Sequence, residues 1–389
     1  MKIIYIAFMG DLSSIGVIKK VISQIQYLNS QGVKTKGIFL YSSKKNMAFY
    51  KNYEYVQFVR NSKNDRVNMH NIEKILNKEG KFDLIYFRYP RSTWSLFKFT
   101  KKYSNKVIFE HQTKELSELK LSQYKYKATR FWNIYLSEMI FAPLVFKYSA
   151  GVVGVTEEIS LYEKQRSLIK NLKVKTVSNG IDVASNPLRQ APIFDGKDLR
   201  ILFASGYASR WHGIDRIIQS LAQYSGNVNI TLYIIGPVLN EIRKLVSELN
   251  LTNNVVFLPK MSASQFDKYF DYCHIAIGSL GLHRINLVQG AVLKTREYVA
   301  RGIPFIIGYE DIDLTRKKKI SPYFLKVPAD DQAIDMNQII NFTKEVFSIP
   351  EHAKEMREFA LSNMDMSVKM KQLKKVLISF YKSSKFSNS

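Results

Sequence analysis

Cysteine is almost missing from this 389-residue chain: Cys273 stands alone. That excludes an internal disulfide framework and the cysteine clusters of structural zinc sites. Long apolar runs are missing too, so no transmembrane helix is expected. The N-terminus, Met1-Lys2-Ile3-Ile4-Tyr5-Ile6-Ala7-Phe8, is apolar but too short for a signal-peptide core followed by a cleavage site. It reads as a buried first strand. No Gly-x-Gly-x-x-Gly fingerprint follows that strand, and no acidic residue closes the second strand at 38–41, which argues against a dinucleotide oxidoreductase. Together these absences point to a reducing, cytoplasmic setting.

Acidic residues are also scarce, 33 against 58 Lys and Arg, for a formal net charge of +25. The excess is uneven. Residues 1–185 hold 31 basic and 14 acidic side chains, residues 186–366 hold 21 and 19, and residues 367–389 hold 6 and none. A lysine-rich genome would scatter charge everywhere and does not explain the near-neutral middle. A basic field of this kind attracts anionic lipid, acidic substrates or nucleic acid. No nucleic-acid motif accompanies it, so that partner is not expected.

Two α/β halves are legible. Short apolar runs at 2–8, 33–41, 83–88, 106–109, 151–156 and 173–177 read as strands. Residues 16–30 carry apolar positions at helical spacing, with Gly32 as a stop. Asn186-Pro187 through Gly196 is turn-rich and reads as a linker. The pattern then restarts with strands at 199–204, 229–235, 254–258, 273–278 and 303–307 and a helix near 213–224. Strand–helix alternation predicts parallel sheets with helices on both faces. The expected domains are 1–185 and 198–366, with ligand sites at the strand C-termini and a cleft between them. Residues 367–384 form a basic helix with apolar positions 368, 370, 373, 376, 377 and 380. It comes after the second core is complete.

Three segments carry chemistry. Asn179-Gly180-Ile181-Asp182 is a tight turn after a strand. Ala204 to Asp215 (Ala-Ser-Gly-Tyr-Ala-Ser-Arg-Trp-His-Gly-Ile-Asp) links a strand to a helix. There Gly206 lets backbone approach a ligand, helix N–H groups favour phosphate, and Arg210 offers a bidentate contact. Leu293 to Ile306 places Lys294 and Glu297 one turn apart on a helix that ends at Gly302-Ile303-Pro304. A carboxylate at Glu297 is suited to accept both hydroxyls of a ribose.

In this order the motifs resemble the retaining GT-B glycosyltransferases of family four, strongly over 151–308 and loosely before. The resemblance implies two Rossmann-like domains, an inter-domain cleft and a C-terminal helix crossing back to the N-terminal domain. It makes Glu297 the ribose ligand. The family's first glutamate falls on Gln289, which carries no charge. Tyr207 stands where the family often has Arg, and His212 where it has Lys before Gly, so the diphosphate is assigned to Arg210 and Lys294. The family's Gly-rich first loop is represented by Gly10 and Ser13-Ser14-Ile15-Gly16. Glu110-His111 is similar to the family's pair near the transferred sugar, with His111 as the catalytic candidate and Gly16 and Glu110 on the acceptor side.

The implied reaction moves a sugar from a nucleoside-diphosphate sugar, UDP rather than GDP, to a glycan or polyprenyl-linked acceptor, with retention. No cofactor and no metal are expected, since no Asp-x-Asp cluster is recognised beside the donor motifs. Basic residues Lys114, Lys120, Lys125, Lys127 and Arg130 alternate with Leu119, Leu121, Tyr124, Tyr126, Phe131 and Trp132, a pattern suited to peripheral contact with an anionic membrane. The competing reading is a non-catalytic GT-B partner subunit, for which Gln289 and the altered Gly loop are the motive.

Overall fold

The computed structural model describes residues 1–9, 15–42, 53–315 and 317–386. Of the first glycine loop, Gly10, Ser13 and Ser14 lie outside these residues. The chain divides into two compact units, Met1–Ser178 with Met366–Ser389, and Asn179–Asp365.

The first unit is a seven-stranded sheet in the order β3-β2-β1-β4-β5-β6-β7. Its strands are β1 Lys2–Phe8, β2 Lys34–Tyr41, β3 Val56–Arg60, β4 Leu84–Arg88, β5 Val107–His111, β6 Gly151–Gly154 and β7 Val174–Thr176. All neighbours pair in parallel. Strands buried on both faces need near-continuous apolar sequence, and Ile3 to Ala7 are fully enclosed. Their side chains alternate between two cores. One holds Ile4, Ile6, Ile85, Phe87 and Phe109. The other holds Ile3, Tyr5, Ile18, Val21, Ile22 and Ile25 with Met366, Met370, Leu373, Leu377 and Phe380. The tail helix Met366–Phe386 therefore completes the first unit by packing on Ile15–Ser30. Gly151 marks the contact: its φ is +150°, and a Cβ there would lie 2.3 Å from the Phe380 ring.

The second unit is a six-stranded parallel sheet in the order β10-β9-β8-β11-β13-β15, beside a small pair, β12 with β14. Its strands are β8 Asp198–Ala204, β9 Asn229–Ile235, β10 Val255–Leu258, β11 Ile275–Ile277, β12 Gln289–Gly290, β13 Phe305–Ile307, β14 Glu310–Asp311 and β15 Phe324–Lys326. The segment from Asn179 to Lys197 is fastened to this unit. Arg189 is buried and donates to the carbonyls of Cys273 (2.9 Å) and His274 (3.1 Å). Cys273 is enclosed as well, and burial pushes its thiol up to about 12, which makes it inert.

In each sheet the strand order reverses direction once, between β1 and β4 and between β8 and β11. Ligands of open parallel sheets bind beyond the strand C-termini at that reversal. Both doubly wound domains thus have a defined place to look.

Candidate functional site

In the second unit the reversal is lined by the segment after β8. Ser205 to Ser209 leads into a short turn, Arg210–His212, which Gly213 ends at φ +67°. A Cβ on Gly213 would lie 2.7 Å from the Gly281 nitrogen, so only glycine lets this turn sit against the loop after β11. The Leu280 N–H donates to the His212 carbonyl at 2.9 Å across the same contact. Around Gly206 the space is open: nothing lies within 4 Å of where its Cβ would be.

His212 is buried, and its ring is oriented from both sides. Nε2 lies 3.1 Å from the Tyr207 carbonyl and 2.9 Å from Ser205 Oγ, while Nδ1 lies 3.3 Å from Lys294 Nζ. A carbonyl only accepts, so the geometry assigns the proton to Nε2 and leaves Nδ1 to accept from Lys294. The Lys294 ammonium sits 4.4 Å from the centroid of the Phe203 ring. No carboxylate lies within ion-pair reach of it among the described residues. Burial pulls its pKa down from 10.5 to about 7. A desolvated cation beside an imidazole, at the C-terminal edge of a parallel sheet, is a place for an anion.

Glu297 shares the Leu293–Arg301 helix with Lys294, three residues on and on the same side. Its Oε1 accepts from Arg301 Nε at 3.0 Å, and Arg301 also pairs with Asp267 at 2.7 Å. Tyr298 fixes the helix to the sheet by donating to the Ile277 carbonyl at 3.0 Å. Arg210 is held in a two-pronged pair with Glu241, both contacts at 2.9 Å, on the exposed side of the loop. A diphosphate contact from Arg210 therefore requires exchange of that partner. Gln289 pairs in register with Glu310 at the start of the small sheet. The second unit thus groups Gly206, His212 and Lys294 around one edge, with Glu297 one turn along.

Arg296, between Lys294 and Glu297, carries no motif that marks it in the sequence. It is completely buried and binds both oxygens of Asp311, Asp313 Oδ2 at 2.7 Å and the Asn179 carbonyl at 3.2 Å. Asn179 Nδ2 in turn donates to the Ala291 carbonyl at 2.7 Å. The Asn-Gly-Ile-Asp turn is thereby stitched to the base of the donor helix. Asp311-Ile312-Asp313 is an Asp-x-Asp sequence beside these motifs, which corrects the expectation that none stands there. Its carboxylates are bound to Arg296, a partner nothing in the local sequence announces.

In the first unit Glu110 and His111 end β5 and point to opposite faces. Glu110 is buried under Lys20 (3.1 Å) and accepts from Tyr5 (2.8 Å) and Gln24 (3.2 Å), with Arg88 at 3.7 Å. Burial alone would raise its pKa; Lys20 and Arg88 outweigh that and hold it down at about 2. Gly16 lies exposed at the start of the Ile15–Ser30 helix. His111 is fully enclosed beside Tyr89, the ring centroids 4.1 Å apart. Its Nδ1 lies 2.8 Å from Glu115 and 3.4 Å from Glu163. Burial holds the imidazole neutral, down to about 4, and pushes Glu115 up to about 7 and Glu163 up to about 8. His111, Glu115 and Glu163 bring ligand atoms within 4.8 Å of one another, close enough to reach one metal ion. Arg166, which pairs with Glu163 and Glu138 and lies 3.7 Å from Glu115, meets part of the same charge.

Comparison with solved structures places both units in one fold. HepE of Anabaena, solved with UDP, superposes with a TM-score of 0.64 at 14% identity, covering 97% of this chain and 100% of that one. A glycosyltransferase of Rickettsia africae gives 0.67 at 15%, over 97% and 98%. Sucrose-phosphate synthase of Thermosynechococcus elongatus gives 0.67 at 14%, over 97% and 99%. The fold is GT-B. No curated protein matches by sequence. Residues 187–308 match the family of glycosyl transferases group 1. That match lies within the second unit, and the whole chain shares the GT-B fold.

Proposed function

We propose that the protein transfers a sugar from a UDP-sugar to a glycan or lipid-linked acceptor with retention at the anomeric carbon, as in synthesis of a surface polysaccharide. The observation that carries the donor half is the Lys294–His212 contact at the reversal of the second sheet, where the desolvated Lys294 ammonium has no carboxylate within ion-pair reach among the described residues. HepE, similar over its whole length, has been solved with UDP-glucose, which favours the same donor class here. Lys294 would meet the diphosphate, Gly206 would let it approach the backbone, and Glu297 would accept the ribose hydroxyls once released from Arg301. Gln289 would hydrogen-bond the sugar, and Arg210 would join the phosphates on exchanging Glu241.

In this reaction the acceptor hydroxyl attacks the anomeric carbon on the face from which the diphosphate leaves. The new C–O bond forms as the bond to the β-phosphate oxygen breaks, and the hydroxyl proton passes to a leaving phosphate oxygen. Stabilising that diphosphate is the main catalytic term, and it needs no protein nucleophile. His111 lies below the surface of its unit, so its role is to position neighbours at the end of β5. No metal is assigned a step.

The test is thermal shift with UDP, GDP and uridine. UDP is expected to stabilise the protein more than GDP, and uridine less than either; no shift with any nucleotide would defeat the donor assignment. Glu297→Ala is expected to lower UDP affinity about tenfold, the loss of a charge-assisted hydrogen bond of roughly 1.5–3 kcal/mol. An unchanged affinity would remove Glu297 from the ribose.

The acceptor side is proposed to work at an anionic membrane surface. No described helix is long and apolar enough to cross a membrane. The helix Ala128–Lys147, however, exposes Trp132, Leu136, Met139, Ile140 and Leu144 at helical spacing, with Trp132 at 55% and Ile140 at 58%. Exposed stripes of this kind mark interaction surfaces. Of the flanking residues singled out in the sequence, Leu119 and Phe131 are core, while Lys120, Lys125 and Arg130 lie over Tyr135, Tyr124 and Tyr126. Each basic residue near anionic lipid adds roughly 1 kcal/mol. Co-sedimentation is expected with vesicles containing phosphatidylglycerol, falling at high salt as screening shortens the attraction. Equal binding to neutral vesicles, or none, would leave a soluble acceptor as the better assignment.

A further inference from the structure

His111, Glu115 and Glu163 come from three elements that meet at the C-terminal edge of the first sheet. His111 ends β5, Glu115 opens the helix Glu115–Leu121, and Glu163 lies on the helix Glu157–Arg166. Their ligand atoms converge, one from each residue lying within 4.8 Å of the other two. The His111 and Glu163 side chains are fully enclosed, and that of Glu115 is 10% exposed. One imidazole proton does not satisfy this arrangement. Nδ1 has Glu115 Oε1 at 2.8 Å and Glu163 Oε1 at 3.4 Å, and a single N–H there serves only one of them well. Glu115 Oε2 and Glu163 Oε1 are buried and have no hydrogen-bond partner among the described residues.

The charge is unmet as well. Glu115, Glu163 and Glu138 bring three carboxylates together, and one guanidinium, Arg166, meets them: it pairs with Glu163 and Glu138 and lies 3.7 Å from Glu115. Lys114 pairs with Glu158 at 2.6 Å. Lys20 and Arg88 face Glu110 on the opposite side of β5. With His111 neutral, two negative charges remain unanswered among the described residues. Buried ions are paired or coordinate metals, and unpartnered buried oxygens are rare. Burial pushes the carboxyls of both Glu115 and Glu163 up, the response of carboxylates short of cations.

We infer that His111, Glu115 and Glu163 hold a divalent transition-metal ion, zinc by the donor set, which fastens both helices to the end of β5. An imidazole with carboxylates suits such an ion. A carboxylate binds through one oxygen or both, so three side chains are enough to surround it. Glu163 Oε2 stays with Arg166, which leaves Oε1 facing the imidazole. The ion's two positive charges match the two left unanswered. The site needs no mouth: structural metal sites are closed, and they take their ion as the chain folds. This ion belongs to the first unit, whereas the donor motifs belong to the second. Its role is structural, and the inference does not rest on the proposed glycosyl transfer.

The full-length protein, purified from zinc-supplemented medium without chelator, is tested by elemental mass spectrometry. One zinc per chain is expected. Dialysis against a chelator is expected to lower the melting temperature by several degrees, and added Zn²⁺ to restore it. Glu115→Gln and Glu163→Gln keep the size of the side chain. Each is expected to lose the ion, to keep the circular dichroism of the parent, and to melt at a temperature that chelator does not change. Unmodified protein refolded with Co²⁺ in place of Zn²⁺ gives a reading that needs no variant: visible absorption is expected to saturate at one equivalent. A chain that carries no metal and whose melting temperature ignores Zn²⁺ and chelator would overturn the site and leave carboxyl protons as the neutralising charge. An ion retained by both glutamine variants lies elsewhere and would overturn it too, as would the absence of a saturable cobalt spectrum.

Discussion

Replacing Lys294 with methionine is expected to raise the melting temperature of the protein and to weaken UDP binding at least tenfold. The two effects have one cause. In the free protein the ammonium is desolvated against Phe203 and, among the described residues, has His212 as its hydrogen-bond partner, and burial brings its pKa from 10.5 to about 7. A folded-state pKa below the unfolded value means the folded state binds fewer protons between pH 7 and 10.5. Stability therefore rises with pH across that window, and the penalty is fully present below pH 7. Methionine fills similar volume without the charge, so it relieves on the order of 2 kcal/mol after allowance for partial exposure. A diphosphate restores the charge, so UDP affinity of the unmodified protein should decline as pH rises above 7, and that decline should be absent in the variant. Calorimetric titration at pH 6.5, 7.5 and 8.5 reads both. A lower melting temperature with UDP affinity retained would show that Lys294 is a structural cation.

The largest loss of stability is expected at Arg296. Arg296→Met removes the cation that, among the described residues, meets the fully buried Asp311. Burial pushes the Asp311 carboxyl up and Arg296 opposes it. Breaking a buried pair from one side typically costs 3–5 kcal/mol, because the remaining charge is left uncompensated. The variant should unfold at lower urea, with faster hydrogen exchange along Leu293–Arg301 and in the Asn179–Asp182 turn, which the same guanidinium ties together. Adding Asp311→Asn removes the orphaned charge and should recover part of the loss. A single variant within 1 kcal/mol of the parent, or no recovery in the double, would refute the assignment. Two cations two residues apart on one helix thus differ: Arg296 pairs with Asp311 and Asp313, while Lys294 has no carboxylate within ion-pair reach among the described residues.

The sequence was informative wherever one segment contains its own reason. β1, β2 and β8 announce themselves as apolar runs because parallel strands are buried on both faces. The Ile15–Ser30 helix shows its period, and Gly302 its left-handed end at φ +79°. The three donor segments were legible because a glycine turn, a helix start and a carboxylate one turn from a lysine are local patterns. β3 and β15 were not recognised. Val56–Arg60 is half-exposed on an edge, and Phe324–Lys326 is three residues long, so neither has a pattern that distinguishes it from loop.

What the sequence by itself determined was the alternation that makes two parallel sheets, the order of the donor motifs, and the division of charge between the halves. What only the tertiary structure decided was which charges are already answered. Arg210 and Lys294 look alike as candidate phosphate ligands, but Glu241 pairs with one, and no carboxylate among the described residues reaches the other. Asp311 and Asp313 carry an Asp-x-Asp spacing, and only the structure shows Arg296 between them. Glu110, expected on the acceptor side, is engaged by Lys20, Tyr5 and Gln24. The physical reason is that hydrogen-bond and ion-pair saturation depends on partners tens to more than a hundred residues away in the chain, and no local pattern of residues encodes whether a buried polar atom has met one.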